Sequence, residues 1–311
     1  MQITIVGSLN YDLVTISNRL PNAGETMFSQ GFETHCGGKG ANQALATARL
    51  SSKVPDVNVK MYGKVGKDNF GTQLKNNLED SGVDVSAIHE LDTKSGVAVI
   101  FVDQDSGENR IMVYAGANGE WTEADLTDDL FDTDMLIFQN EIPIDIVYKA
   151  IEKAGSKKPK VVYNPSPVDE RGNIPAAVLN SIDFLVVNVT EATLISGVEI
   201  NEEASKEEIW KQADQAADTL FKMGIKEAVV VTLGGNGVIY KTKTDSGHVP
   251  SNKVEKIVDT TGAGDTFLGG FSTSIIQGKT VSEAIAFGNK AGGIAVTRRG
   301  AAEGIPYDHE L

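Results

Sequence analysis

Asp259-Thr260-Thr261-Gly262-Ala263-Gly264-Asp265-Thr266-Phe267 is a glycine-rich turn that opens a helix. Behind it, Phe267, Phe271, Ser274 and Ile275 recur at helical spacing, so an amphipathic helix beginning near Ala263 leans one face on a core. The first amides of such a helix lack intrahelical partners and sit at the positive end of its dipole. Gly262, Ala263 and Gly264 let a phosphate approach those amides, which makes the turn a backbone anion hole. Asp265 stands inside it. A carboxylate beside a phosphate is unfavourable unless it acts on something, and the fitting task is to take the proton of a hydroxyl that attacks phosphorus. From the turn alone, a cap on the helix's positive end explains Asp265 more simply. The rest of the chain decides.

Upstream of this turn, apolar runs over 135–138, 160–163, 184–187 and 228–232 are interleaved with helical periodicity over 144–154 and 206–223. That alternation predicts an α/β fold with a doubly wound, mostly parallel sheet flanked by helices. Each run ends in polar or glycine text: Gln139-Asn140-Glu141, Asn164-Pro165, Asn188-Val189-Thr190-Glu191 and Gly234-Gly235-Asn236-Gly237. Ligands of open α/β sheets bind beyond the carboxyl ends of strands, and several polar ends on one rim describe a crevice. Asn188 and Glu191 also fit a capping box. At a phosphate site the same carboxylate can orient Mg²⁺ and its waters. Downstream of the turn, a last helix is predicted over 281–296, with Ala284, Gly288, Ala291 and Ala295 as a close-packing stripe.

The amino-terminal run Ile3-Thr4-Ile5-Val6 reads as a buried strand that ends at Gly7-Ser8, with Asn10 and Asp12 just beyond. The text from 13 to 35 is irregular and ends at Gly37-Gly38-Lys39-Gly40-Ala41-Asn42-Gln43, the mouth of another helix. Lys39 and Asn42 project together from it. The Walker spacing is absent, and sugar hydroxyls suit this lysine and amide. A strand over 57–62 and a helix over 69–78 follow. Strands over 97–102 and 110–114, joined across Asp103-Gln104-Asp105-Ser106-Gly107, give a hairpin signal that breaks the alternation. Residues 13–36 and 93–118 are therefore assigned to a small inserted β-sheet lid, and 1–12, 37–92 and 119–311 to the α/β body, with hinges at Gly37-Gly38 and Ala115-Gly116-Ala117-Asn118.

Composition narrows the function. Lys and Arg total 28 against 43 Asp and Glu, a net charge of −15, which argues against nucleic acid and anionic membranes as partners. No apolar run is long enough to span a bilayer and no basic, apolar leader precedes the first strand, so a cytoplasmic protein is expected, with nuclear residence left open. The lone Cys36 permits no intrachain disulfide and is read as a packing residue. His35, His89, His248 and His309 share no metal-binding spacing. Arg298-Arg299 reads as a solvated helix end, and the acidic run over 202–208 as a solvated helix start. A dinucleotide-binding turn is missing after the first strand, where Gly7-Ser8-Leu9-Asn10 stands.

Asn10-Tyr11-Asp12, the run from Gly37 to Gln43, Ala115 to Asn118, Asn188-x-x-Glu191 and the turn from Asp259 to Phe267 together resemble the ribokinases, within the phosphofructokinase B type sugar kinases. The likeness runs over 3–306. It implies ATP-dependent phosphorylation of D-ribose at the 5-hydroxyl, with Asp265 as the base. Asn10, Asp12, Gly38, Lys39, Asn42 and Glu141 would hold ribose. Asn188, Thr232, Leu233, Gly234, Gly235, Asn236, Gly237, Gly264, Asp265 and Asn289 would hold ATP, with Glu191 serving Mg²⁺ indirectly. Asp259, Thr261, Ala295, Arg298, Gly300 and Gly304 would form an activating K⁺ site, mainly through backbone carbonyls. The resemblance also implies a homodimer paired through the lid. Val189 departs from the acidic residue common inside the Asn-x-x-Glu motif, and the segment 51–58 is longer than in short bacterial forms. Rival readings are a kinase for another furanose or a nucleoside, and a non-catalytic sugar-binding regulator.

Overall fold

The computed structural model describes residues 1–105, 108–168 and 172–311. In chain order the elements are β1 (Gln2–Val6), β2 (Asn10–Ser17), β3 (Gly31–Gly37), α1 (Lys39–Leu50), β4 (Asn58–Gly66), α2 (Asn69–Glu79) and β5 (Asp84–Leu91). Next come β6 (Gly96–Asp103), β7 (Asn109–Tyr114), β8 (Met135–Phe138), α3 (Ile144–Gly155), β9 (Lys160–Tyr163), α4 (Ala176–Leu179) and β10 (Phe184–Asn188). The chain ends with α5 (Val189–Ser196), α6 (Lys206–Lys222), β11 (Ala228–Thr232), β12 (Val238–Thr242), β13 (Ser246–Val249), α7 (Ala263–Ile276), α8 (Val281–Ala295) and α9 (Ala301–Gly304).

A nine-stranded sheet runs in the order β13-β12-β11-β10-β9-β8-β1-β4-β5. Its pairings are parallel except β11 with β12 and β12 with β13. Strands buried on both faces read as apolar runs, and the central strands β8, β9, β10 and β11 do so, as MLIF, KVVY, FLVVN and AVVVT. Val161, Leu185 and Val229 belong to one core cluster with Val147 and Leu220, while their chain neighbours Val162, Val186 and Val230 belong to a second with Leu45, Leu268 and Phe271. The layers are therefore α3 and α6 on one face, and α1, α7 and α8 on the other. Because β4 and β8 both flank β1, strand order reverses there, and the crevice of a doubly wound sheet opens at that reversal.

The second sheet has four strands, in the order β3-β2-β6-β7. It begins at Asn10, so Asn10 to Asp12 belong to the small sheet and not to the body to which the sequence reading gave them. The irregular text from 13 to 35 hides two strands, β2 and β3, paired in register from Asn10 with Gly37 to Ile16 with Gly31. Phe32 is exposed while Asp12, Glu33 and His35 share a partly buried face, so neither face of the pair carries a clean apolar alternation. Three further strands went unread: β5, whose mixed burial gives no clean period, and the antiparallel edge pair β12 and β13. The β6–β7 hairpin forms, with the Asp103 amide donating to Glu108 oxygen at 2.9 Å. Ser106 and Gly107 of its turn lie outside the described residues. No described helix is long and apolar enough to cross a membrane.

Candidate active site

Gly262 caps α7 with φ of 73°, a left-handed conformation that a side chain would strain. It receives no side-chain cap, so the capping reading of Asp265 does not hold. The carboxylate instead faces α1. Its Oδ1 accepts from Gln43 Nε2 at 2.9 Å and its Oδ2 from Asn42 Nδ2 at 3.2 Å. At 8% exposure Asp265 is almost wholly buried. Burial lifts its carboxyl above the ordinary value, the Lys39 ammonium and the two amides pull it back, and Glu141 adds to the rise. The result is a base more easily protonated than a free carboxylate. The Ala263 amide already donates to Thr260 oxygen at 3.2 Å, so Gly264 and Asp265 supply the open amides of the turn.

Around the sugar-side residues, Glu141 is the anchor. Its Oε2 accepts from Ser8 Oγ at 2.6 Å, from the Lys39 amide at 2.9 Å and from Asn10 Nδ2 at 3.4 Å. Asn10 Oδ1 in turn accepts from Asn118 Nδ2 at 2.9 Å, which ties β2 to the hinge after β7. Gly38, with φ of 92°, lets the chain turn against β2, where a Cβ would fall 2.7 Å from the Asn10 nitrogen. Asp12 projects from β2 beside Gly37. Burial raises its pKa to about 7, the Glu141 and Glu303 charges add to this, and His35 opposes it. Burial pulls Lys39 down, but Asp265, Glu141 and Glu191 outweigh it and hold the ammonium above its ordinary value.

On the other side of Asp265 lies a cleft of about 600 Å³ lined by Thr232, Gly234, Gly235, Gly237, Gly264 and Asn289, with Val238, Val254, Ile257 and Phe267 as apolar walls. This shape suits a planar apolar group with a polar tail. Leu233 and Asn236 are not part of the lining: Leu233 is buried, and the Asn236 backbone oxygen is turned to Trp210, accepting from its Nε1 at 3.0 Å. Asn188 and Glu191 form a complete capping box at the start of α5. Glu191 nevertheless has only 3% exposure, and burial raises its pKa against the Asn188 and Ser166 hydrogen bonds and the Lys39 charge.

The residues expected around potassium also converge. Asp259 Oδ1 accepts from the Thr261 amide at 2.9 Å and hydroxyl at 2.7 Å, and Oδ2 from the Gly300 amide at 3.0 Å. The Ala295 and Gly300 oxygens accept from the Arg298 and Gly304 amides, each at 3.0 Å. Arg298 pairs with Glu310 at 2.5 Å and Arg299 with Glu33 at 3.3 Å. No cluster of three His, Cys, Asp or Glu suited to a metal exists among the described residues. Burial pushes the Cys36 thiol up to about 11, aided by Glu303 and Asp12, so it is no nucleophile.

Four polar residues of this network are not among the ligands expected from the sequence: Ser8, Gln43, Asn118 and Gln139, although Gln43 and Asn118 stand in the motifs quoted above. Asn164 likewise joins it, donating to Glu191 Oε2 at 3.4 Å. Gln139 and Asn164 were visible as polar strand ends, but sequence alone does not say which strand ends meet.

A buried carboxylate at the mouth of a helix, with the polar cluster of Asn10, Asp12, Lys39 and Glu141 near it and a cleft of about 600 Å³ beyond Gly264, is an arrangement suited to a phosphotransferase of small alcohols. The sequence matches the pfkB family carbohydrate kinase over residues 1–308, and the chain belongs to that family. It is 38% identical to the ribokinase of Schizosaccharomyces pombe over 98% of this chain and 95% of that one. It is 34% identical to the deoxyribokinase of Salmonella typhimurium, covering 98% and 96%. The structure of Arabidopsis thaliana ribokinase complexed with ribose and ATP superposes with a TM-score of 0.84 at 30% identity, covering 99% and 96%.

Proposed function

We propose that this protein is a ribokinase, transferring the terminal phosphoryl group of ATP to the 5-hydroxyl of D-ribose to give ribose 5-phosphate and ADP. The observation that carries the reading is the position of Asp265, with hydroxyl-binding groups on one side and the cleft of Thr232, Gly235 and Asn289 on the other. Ribose lies between Asp12, Asn10, Lys39 and Glu141. Asp265 takes the hydroxyl proton as that oxygen bonds to phosphorus, and the bond to the bridging oxygen breaks with its electron pair leaving on ADP. The Gly264 and Asp265 amides receive the charge that develops on the transferring group. Closure of the small sheet excludes water, which limits hydrolysis of ATP.

Mg²⁺ would be served indirectly by Glu191, whose buried carboxylate is held by Asn188 and Asn164 and would orient the ion's waters; the ion would neutralise charge on the nucleotide. K⁺ fits the loop of Asp259, Thr261 and Gly300, which presents carboxylate, hydroxyl and carbonyl oxygens. A homodimer through the small sheet is supported by its face turned away from Asp12, where Phe32, Val99, Met112 and Tyr114 are exposed. The likeness to a deoxyribokinase at 34% identity favours deoxyribose as the second substrate to examine. ADP release measured with ribose, deoxyribose, fructose and adenosine, with and without potassium, tests the reading. Turnover with ribose is expected to exceed the others, and none with any sugar would remove it.

A further inference from the structure

We propose that Gln139 is a positioning residue for the base: acting through Gln43, it fixes which end of an amide faces Asp265. This rests on the kinase reading above. Gln43 is fully buried in α1, and its amide meets three groups. Nε2 donates to Asp265 Oδ1 at 2.9 Å and to Asn164 Oδ1 at 3.3 Å, while Oε1 accepts from Gln139 Nε2 at 2.7 Å. An amide in this pocket has two orientations related by a flip. Flipped, Gln43 would turn its oxygen on the Asp265 carboxylate, two acceptors face to face. Gln139, at the carboxyl end of β8, excludes that state by setting a donor against the Gln43 oxygen. Asn164 locks the other side, because its Nδ2 donates to Val186 oxygen at 3.0 Å and leaves its own oxygen toward Gln43.

The lock has a visible local conflict. Gln139 Oε1 is buried and has no hydrogen-bond partner among the described residues. It occupies the space beside Gly7, where an added Cβ would fall 2.0 Å from that oxygen, so only glycine fits there. A buried carbonyl without a donor is unfavourable, and a side chain kept for packing alone would carry no such atom. A polar group that opposes local stability beside a reacting group marks a functional position. Lys39, Glu141 and Glu191 share the pocket and act on the same carboxylate through space; Gln139 touches it only through Gln43.

Steady-state kinetics on the full chain carrying Gln139→Met, Gln43→Met or both test this. Gln139→Met removes the donor and the unpaired oxygen at similar volume. The expected result is a kcat about tenfold lower, the scale of one lost, well-oriented hydrogen bond. KM for ribose and ATP should stay within about twofold, since the interaction belongs to the reacting state. The melting temperature should be about unchanged, because the variant removes the unpaired oxygen of Gln139 and leaves that of Gln43 without its donor. The double variant should be no slower than Gln43→Met alone, because both act on one bond.

Unchanged kcat in Gln139→Met, or effects that multiply in the double variant, would overturn the proposal. So would a fall in melting temperature that tracks the loss of activity. Should Gln139→Met not fold, the isosteric Gln139→Glu replaces it. Its carboxylate draws the Gln43 amide away from Asp265, so the same loss of kcat is expected and retained activity overturns the proposal. Failure of both to fold makes Gln139 a packing residue and overturns it too. A wild-type chain without kinase activity removes the kinase reading itself.

Discussion

With Asp12 in the proposed sugar site, ribose binding should depend on pH in a way that follows from the surroundings of this carboxyl. Burial, reinforced by Glu141 and Glu303 and opposed by His35, raises its pKa from 3.8 to about 7. In the ligand-free site it is therefore largely protonated at pH 6 and largely ionised at pH 8. Sugar hydroxyls are donors, and the ionised carboxylate accepts from them with charge-assisted strength. If ribose binds the ionised form, affinity follows the ionised fraction, about 0.1 at pH 6 and about 0.9 at pH 8. The dissociation constant should thus rise about tenfold on going from pH 8 to pH 6.

For stability the sign is opposite. The folded chain holds this proton more tightly than the unfolded one, so the Asp12 contribution is fully present below pH 3.8 and is lost as pH rises through about 7. Isothermal titration calorimetry of ribose binding at pH 6, 7 and 8, in buffers of different ionisation enthalpy, reads both affinity and proton release. About one proton should leave per ribose bound at pH 6. Asp12→Asn should abolish the pH dependence and weaken binding at pH 8 by about 1.5–3 kcal/mol, the range for a hydrogen bond to a charged group. A pH-independent affinity with no proton release in the wild type would refute the reasoning.

Core packing and assembly give two further predictions. Phe271 is fully buried and meets Phe184 edge-on at 5.7 Å and Phe267 at 6.2 Å, so Phe271→Ala should cost about 3–5 kcal/mol of stability, read as an earlier urea midpoint. A cost under about 1 kcal/mol would mean that the α7 core is not packed as described. Met112→Asp places a charge on the exposed apolar face of β6 and β7 and should convert a dimer to monomer in light scattering. A monomeric wild type, or an unaltered dimer in the variant, would remove the pairing face.

How much was legible in the chain follows from how locally each feature is encoded. The glycine turn before Asp265 and the Asn188 to Glu191 box are written in consecutive residues, and both form as read. Strands β8, β9, β10 and β11 are apolar on both faces, which announces a buried parallel sheet. β2 and β3 are not, because polar residues stand on both faces of the pair, Asp12, Glu33 and His35 on one and Thr15 and Thr34 on the other. The spacing from Lys39 and the family resemblance both mark Asn42 as a sugar ligand, and its amide also holds Asp265. Gln43, Gln139 and Asn164 converge only because α1 begins where β8 and β9 end, at one rim, and that adjacency is set by strand order.

Turnover of Asp265→Asn under saturating ribose and ATP, with both affinities measured alongside, bears most directly on the base. Both substrates should still bind, and kcat should fall on the order of a hundredfold or more, as for loss of a general base. A kcat near the wild-type value would show that this carboxylate does not take the hydroxyl proton.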